Sequence, residues 1–183
     1  ITISESKSTG MAIIVRDARD VRFINDNAPN ANSDLDQIGL RELQENLADY
    51  KLAFISGYCL MDRASSRFAV VNHAIEMLGR AAIPVVLDVV PHRMYEYFEH
   101  SEFWKLVSKI SVLFSEVSTI RRFLGMGNRE EVVDYSVAKA TAVALAERID
   151  RFVLRYGKSG TDFELIGNRG EIVYRENDAH ATL

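Results

Sequence analysis

One cysteine, Cys59, stands in 183 residues. No disulfide can close within the chain, and a zinc site built on cysteines is excluded. A reducing, cytoplasmic setting is the one that fits. Positive charge is not in excess either: 22 Lys and Arg face 26 Asp and Glu, a net charge of −4 at pH 7. That balance gives neither a nucleic acid nor an anionic membrane surface an electrostatic hold. No apolar run approaches the ~20 residues that cross a bilayer, so no membrane partner is expected. The first residues, "ITISESKSTG", lack the basic-then-apolar order of a signal peptide. They also lack an initiator Met, so residues ahead of Ile1 are expected in the natural protein. His73, His92, His100 and His180 show no metal-ligand spacing. Gly125-Met126-Gly127-Asn128 follows a helical stretch rather than a strand, which rules it out as a dinucleotide fingerprint.

What is present is ordinary globular material, 48% apolar and 26% charged, enough for one domain or a domain with a small appendage. Two short strands, Met11–Val15 and Val21–Ile24, flank a polar turn and form a hairpin beside the main domain. "LRELQENL" reads as a short amphipathic helix, and "KLAFISGY" as a buried strand stopping at Ser56-Gly57. Phe68, Val71, Ile75 and Leu78 share one face of a helix over residues 64–79 that Gly79 closes. "IPVVLDV" is apolar almost throughout, the pattern of a strand in a sheet covered on both faces. "ISVLFS" is a further strand, "TIRRFLG" is helical, and Tyr135 to Ile149 form a longer helix. "FVLRYGKSG" runs from a strand into a turn bounded by glycines, and "DFELIGNRGEIVYR" is a hairpin around Gly167–Gly170. Strands alternate with helices from 51 to 156, which predicts an α/β fold with a mainly parallel sheet. The aromatic-rich run holding Tyr95, Tyr97, Phe98, Phe103 and Trp104 is expected to cover that sheet.

Open parallel sheets bind ligands at the carboxyl ends of their strands. Four such ends can be read: Ser56-Gly57, Asp88 to Arg93, Ser115-Glu116, and Gly157 to Gly160. Asp88 ends an apolar run, and His92 and Arg93 follow it, either facing the same crevice or as a helix cap and solvated loop. Gly157 and Gly160 allow close backbone approach to phosphate with Lys158 as a charge, or they form a plain turn without P-loop spacing. Ser115 and Glu116 are candidates to hold a metal through water, with polar surface as the alternative.

Taken in order, these stretches resemble the PfkB, or ribokinase-like, carbohydrate kinase family. "STGMAIIV" resembles the Thr-Gly-x-Ala strand of that family's lid, and "APNANSDL" its Pro-Gly-Ala-Asn segment, with Asn32 on the Asn. "FISGYCL" is similar to the strand ending in Ser-Gly. "LDVVPHRM" is similar to Asp-x-Asn-x-Arg, with Asp88 matching and Val90 in place of Asn. "VLFSEVSTIRRFLG" resembles the Asn-x-x-Glu segment, whose Glu falls on Ser118 or Thr119. "FVLRYGKSGTDFEL" resembles the Thr-x-Gly-x-x-Gly nucleotide loop, with Arg155 where Thr is usual. The resemblance implies a ribokinase-like three-layer fold with a small β lid. It divides the chain into lid strands and connection, 1–32, and an incomplete nucleotide- and substrate-binding domain, 33–183. It implies transfer of a phosphoryl group from ATP, with Mg2+, to the hydroxymethyl group of a sugar or nucleoside. Gly157, Lys158, Gly160, Ser115 and Glu116 would then serve the nucleotide, Glu116 the metal, and Asn32, Asp88, His92 and Arg93 the substrate. The family's catalytic Asp belongs to a Gly-Ala-Gly-Asp motif that these residues do not contain, and its N-terminal sugar-binding Gly-Gly segment is missing too. No catalytic residue is therefore expected among them. The lid further implies a homodimer, with folding of the hairpin onto its own domain as the alternative. Val90, Arg155 and the lost Glu favour a second reading, a non-catalytic domain that binds nucleotide or sugar.

Overall fold

The computed structural model describes residues 12–16, 21–25, 40–61, 63–64, 66–89, 94–127, 133–157 and 163–176, the first two ranges as backbone only. The polar turn of the opening segment is flanked by β1 (Ala12–Arg16) and β2 (Val21–Asn25), an antiparallel pair forming its own two-stranded sheet. A short helix, α1 (40–45), precedes the main sheet. That sheet then follows the predicted alternation: β3 (Ala53–Ser56), α2 (Ser66–Arg80), β4 (Val85–Val89), α3 (His100–Val107), β5 (Val112–Glu116), α4 (Val117–Phe123), α5 (Tyr135–Ala146) and β6 (Arg151–Tyr156). β7 (Phe163–Asn168) and β8 (Glu171–Glu176) complete it.

The six strands lie in chain order, β3-β4-β5-β6-β7-β8. The first four are parallel and the last two antiparallel. Crossovers of one hand between parallel strands laid down in sequence place every connecting helix on the same side. The packing follows this rule. One core cluster takes Ile75 and Leu78 from α2, Phe103 and Leu106 from α3, Ile120 and Phe123 from α4, and Ala142 and Leu145 from α5. From the strands it takes only alternate residues: Val85, Leu87 and Val89, then Leu113, then Phe152 and Leu154, then Leu165. Phe103 and Phe123 stack at 3.6 Å within it, and Trp104 Nε1 donates to the Phe123 carbonyl at 3.0 Å.

Coverage on both faces is therefore not what the described residues build. The opposite face carries the row Ser56–Asp88–Phe114–Val153–Ile166–Val173, fixed by the register of all five strand pairs. No residue of that row belongs to the core cluster. Val86, on this second face of β4, is nonetheless only 8% exposed.

Three boundaries move. α2 runs through Gly79 to Arg80, and its closing residue is Ala82, held left-handed at φ 56°. Ile83 N–H donates to the Leu78 carbonyl and Ala82 N–H to that of Gly79, a Schellman closure. α3 fills the aromatic-rich stretch, where Phe103, Leu106 and Val107 make its buried face. α5 stops at Ala146. The last hairpin turns on Arg169 and Gly170, both at positive φ (49° and 86°), the geometry of a type I′ turn. Gly167 sits instead within β7 opposite Phe152, whose ring a Cβ there would strike.

Glycine substitutions separate these roles. Ala82→Gly is expected to raise stability by about 0.5–1 kcal/mol through relief of the left-handed backbone. Gly79→Ala is expected to do the same, since Gly79 is helical in the last turn of α2 and a Cβ there meets open space. Gly167→Ala should cost roughly 1–3 kcal/mol by overpacking Phe152. Thermal and urea unfolding of the three variants measures all of this.

Candidate functional site

Parallel pairing sets the carboxyl ends of β3 to β6 side by side. Ser56 pairs with Asp88, Asp88 with Phe114, and Glu116 with Arg155. Asp88 and Arg155 lie on strands separated by β5, yet they meet: Arg155 Nη2 donates to Asp88 Oδ1 at 2.8 Å. The pair is mostly shielded from water, with side chains 15% and 25% exposed. Burial raises the Asp88 carboxyl above its ordinary range; Arg155 opposes that shift and the Glu116 charge adds to it. Two carboxylates therefore stand close enough to feel each other, with one guanidinium at the rim between their strands. Arg155 Nε is buried and has no acceptor among the described residues.

The row above the apolar band is wholly charged. Glu116 pairs with Arg155, Arg155 with Glu164, and Glu164 with Arg175, alternating in sign across four strands. Ser115 points the other way. It is fully buried on the helix-covered side and its Oγ donates to the Glu116 carbonyl at 3.2 Å. Its hydroxyl holds the end of β5 rather than facing the rim. Gly157 follows β6 at φ 121°, a conformation that L side chains rarely adopt. Asn32, His92, Arg93, Lys158 and Gly160 lie outside the described residues.

An aromatic ladder flanks Gly157 on the helix-covered side. Tyr156 stacks on Phe163 at 5.2 Å, Phe163 on Tyr174 at 5.9 Å, and Tyr135 meets Tyr174 edge-on at 5.4 Å. Burial and its tyrosine neighbours push the Tyr156 hydroxyl up to about 12. The ladder was not legible as a unit, because its members come from α5, β6, β7 and β8. Arg155 was legible only as a departure from a motif. Its placement two residues before Gly157, level with Glu116 across β5, is the signal that gives it a partner.

At the opposite end of the strands, a cavity of about 440 Å3 is lined in part by Arg148, Arg151 and Arg169, with Glu147 and Asp150 beside them. Among the described residues no group of three or more His, Cys, Asp and Glu is arranged to hold a metal. Mg2+, however, is commonly held by one or two carboxylates together with phosphate oxygens and water. Asp88 and Glu116 fit that donor set. No helix of the described residues is long and apolar enough to cross a membrane.

No family profile matches the chain, and no curated protein matches it. Solved structures do. An adenosine kinase from Sinorhizobium meliloti superposes with a TM-score of 0.69 at 11% identity, over 95% of this chain and 48% of that one. An adenosine kinase from Anopheles gambiae, solved with P1,P4-di(adenosine-5) tetraphosphate, gives 0.67 at 12% identity, over 94% and 49%. A candidate ribokinase II from E. coli, solved with ATP and Mg2+, gives 0.64 at 15%, over 93% and 51%. The chain thus has the fold of ribokinase-like sugar and nucleoside kinases and spans about half the length of these structures.

The rim pair has a testable signature. A carboxyl whose folded pKa is raised stabilises the fold most below its unfolded pKa and loses that contribution as pH rises through the folded one. Arg155→Gln removes what opposes this, so at pH 7 it should cost about 1–3 kcal/mol by leaving the Asp88 charge shielded and unpaired. The cost should shrink as pH falls through the Asp88 pKa, because a neutral carboxyl needs no cation. In an Asp88→Asn background the same substitution should cost much less. Urea unfolding of the four proteins across pH measures the cycle.

Proposed function

We propose that these residues form the central part of an ATP-dependent kinase acting on the hydroxymethyl group of a sugar or nucleoside. The observation that carries this reading is the convergence of Asp88, Glu116 and Arg155 at the carboxyl ends of β4, β5 and β6, on a fold otherwise found in sugar and nucleoside kinases. Phosphoryl transfer asks a protein mainly to position its reactants and to stabilise charge on the transferred group. Gly157, with Lys158 and Gly160 after it, would let the backbone approach the nucleotide phosphates. Glu116 and Asp88 would hold Mg2+, which neutralises phosphate charge when bound. Asn32, Asp88, His92 and Arg93 would face the acceptor. The base that takes the hydroxyl proton would come from polypeptide outside these residues, as would much of the substrate pocket. A cytoplasmic setting and a homodimer through the β1–β2 hairpin belong to the same reading, since a two-stranded hairpin is marginal alone in water.

One observation favours a second reading, binding without turnover. The Asp88 carboxylate is already paired with Arg155, so the rim holds a fixed cation where the kinase reading would place Mg2+. Such a site would take an anionic ligand without needing a metal.

The natural gene product, incubated with MgATP and a panel of sugars and nucleosides, separates the two. ADP release that requires one acceptor supports the kinase; calorimetric binding of ATP without turnover supports the binding domain. Absence of both contradicts each. Under either reading Gly157→Val should weaken ATP binding at least about tenfold, equivalent to ~1.4 kcal/mol, because the side chain cannot take the φ of 121°.

A further inference from the structure

The end of the sheet opposite the carboxyl rim gathers cations. A cavity of about 440 Å3 opens there between the end of α3, the α5–β6 connection and the β7–β8 turn. Arg148, Arg151 and Arg169 outnumber Glu147 and Asp150 around it, on a chain whose net charge is −4. None of the three guanidiniums has an ion-pair or hydrogen-bond partner among the described residues, although two carboxylates share the cavity.

Their positions are set without using their N–H groups. Arg148 lies over Trp104, its Cζ 5.5 Å from the ring centroid, and Trp104 is fixed by its bond to the Phe123 carbonyl. Arg169 is placed by its backbone: its N–H donates to the Asp150 carbonyl at 2.6 Å and ties the β7–β8 turn to the start of β6. Arg151 opens β6 opposite Asn168, the residue before Arg169. The C-terminal ends of α3 and α5 also reach the cavity, and their partial negative charge offsets repulsion among the cations. The donors stay available.

The donor set selects the ligand. Each guanidinium presents a planar fork that matches two oxygens of one anion. Three forks exceed what a carboxylate's two oxygens accept, whereas the three terminal oxygens of a phosphate group match them. Ser111, on the cavity wall, adds a donor, because its Oγ accepts from the Val85 N–H and keeps its own hydrogen. The floor is apolar, with Val107, Ile110 and Ile149 all buried. The space is larger than a bare phosphate and falls in the range of small-molecule sites. Glu147 and Asp150 beside it would repel an extended polyanion.

We propose that this cavity binds a small phosphate ester, with its phosphate on Arg148, Arg151 and Arg169 and its body against the floor. Arg151 and Arg155 stand near opposite ends of β6, so this site is separate from the rim. It does not rest on the kinase reading.

Isothermal titration calorimetry of the natural gene product tests this with glycerol 3-phosphate, using inorganic phosphate and glycerol for comparison. Glycerol 3-phosphate is expected to bind more tightly than either. Its binding should weaken at least about tenfold in Arg151→Gln/Arg169→Gln, which loses two of the three forks. Arg155→Gln should leave it unchanged. No binding below about 10 mM would overturn the proposal, as would equal affinity in the double variant or a loss in Arg155→Gln that matches it. Inorganic phosphate binding as tightly as the ester would leave the floor without a role and overturn the ester in favour of the free ion. Neither Arg151 nor Arg169 makes a side-chain bond among the described residues, so the double variant should unfold at the temperature of the natural protein. If it does not fold, Arg169→Gln alone decides.

Discussion

A parallel sheet whose strands follow chain order, joined by crossovers of one hand, can receive its helices on one side only. Most of this structure follows from that constraint. It puts the core of α2 to α5 against Val85, Leu87, Leu113, Phe152 and Leu154. It leaves Phe54, Phe114, Val153, Ile166 and Val173 on a face without a described partner. It also aligns the carboxyl ends of four strands, so that residues far apart in the chain share one rim.

That rim is electrostatically economical. Asp88 and Glu116 stand close and mutually unfavourable, and a single guanidinium from β6 crosses β5 to the Asp88 carboxylate. Burial still raises the Asp88 carboxyl above its ordinary range, with the Arg155 guanidinium opposing that shift. A site of this kind responds to whatever charge arrives. A cation would compete with Arg155 for the carboxylates, and a phosphate would compete with the carboxylates for Arg155.

Much of the fold was legible because period and punctuation agree with the structure: the strand cores, the alternation from 51 to 156, and the last hairpin all stand where the residues place them. The failures have physical causes. Gly79 reads as a helix end, but Leu78 must reach the core and the backbone turns only at Ala82, a residue with no left-handed preference. α3 hides among aromatics, although the 103, 106, 107 spacing of its buried face is helical. The continuous apolarity of β4 suits two covered faces; the described residues cover one, and Val86 on the other is already shielded. Of the site, Asp88 and Glu116 could be read as strand-end carboxylates. The link of Asp88 to Arg155 could not, since it depends on a three-strand register joining positions 67 residues apart. Ser115, one residue from Glu116, faces the opposite side because strand side chains alternate.

On the kinase reading, a nucleotide binds at the carboxyl rim of β4 to β6. Hydrogen exchange of the natural protein with and without MgATP tests it most directly. Slowed exchange at the ends of β4 and β5, at Glu116–Val117, and through Tyr156–Gly157 is the predicted result. Slowing confined to the arginine-lined cavity at the other end of the strands, around Arg148–Arg151 and Arg169, would contradict it.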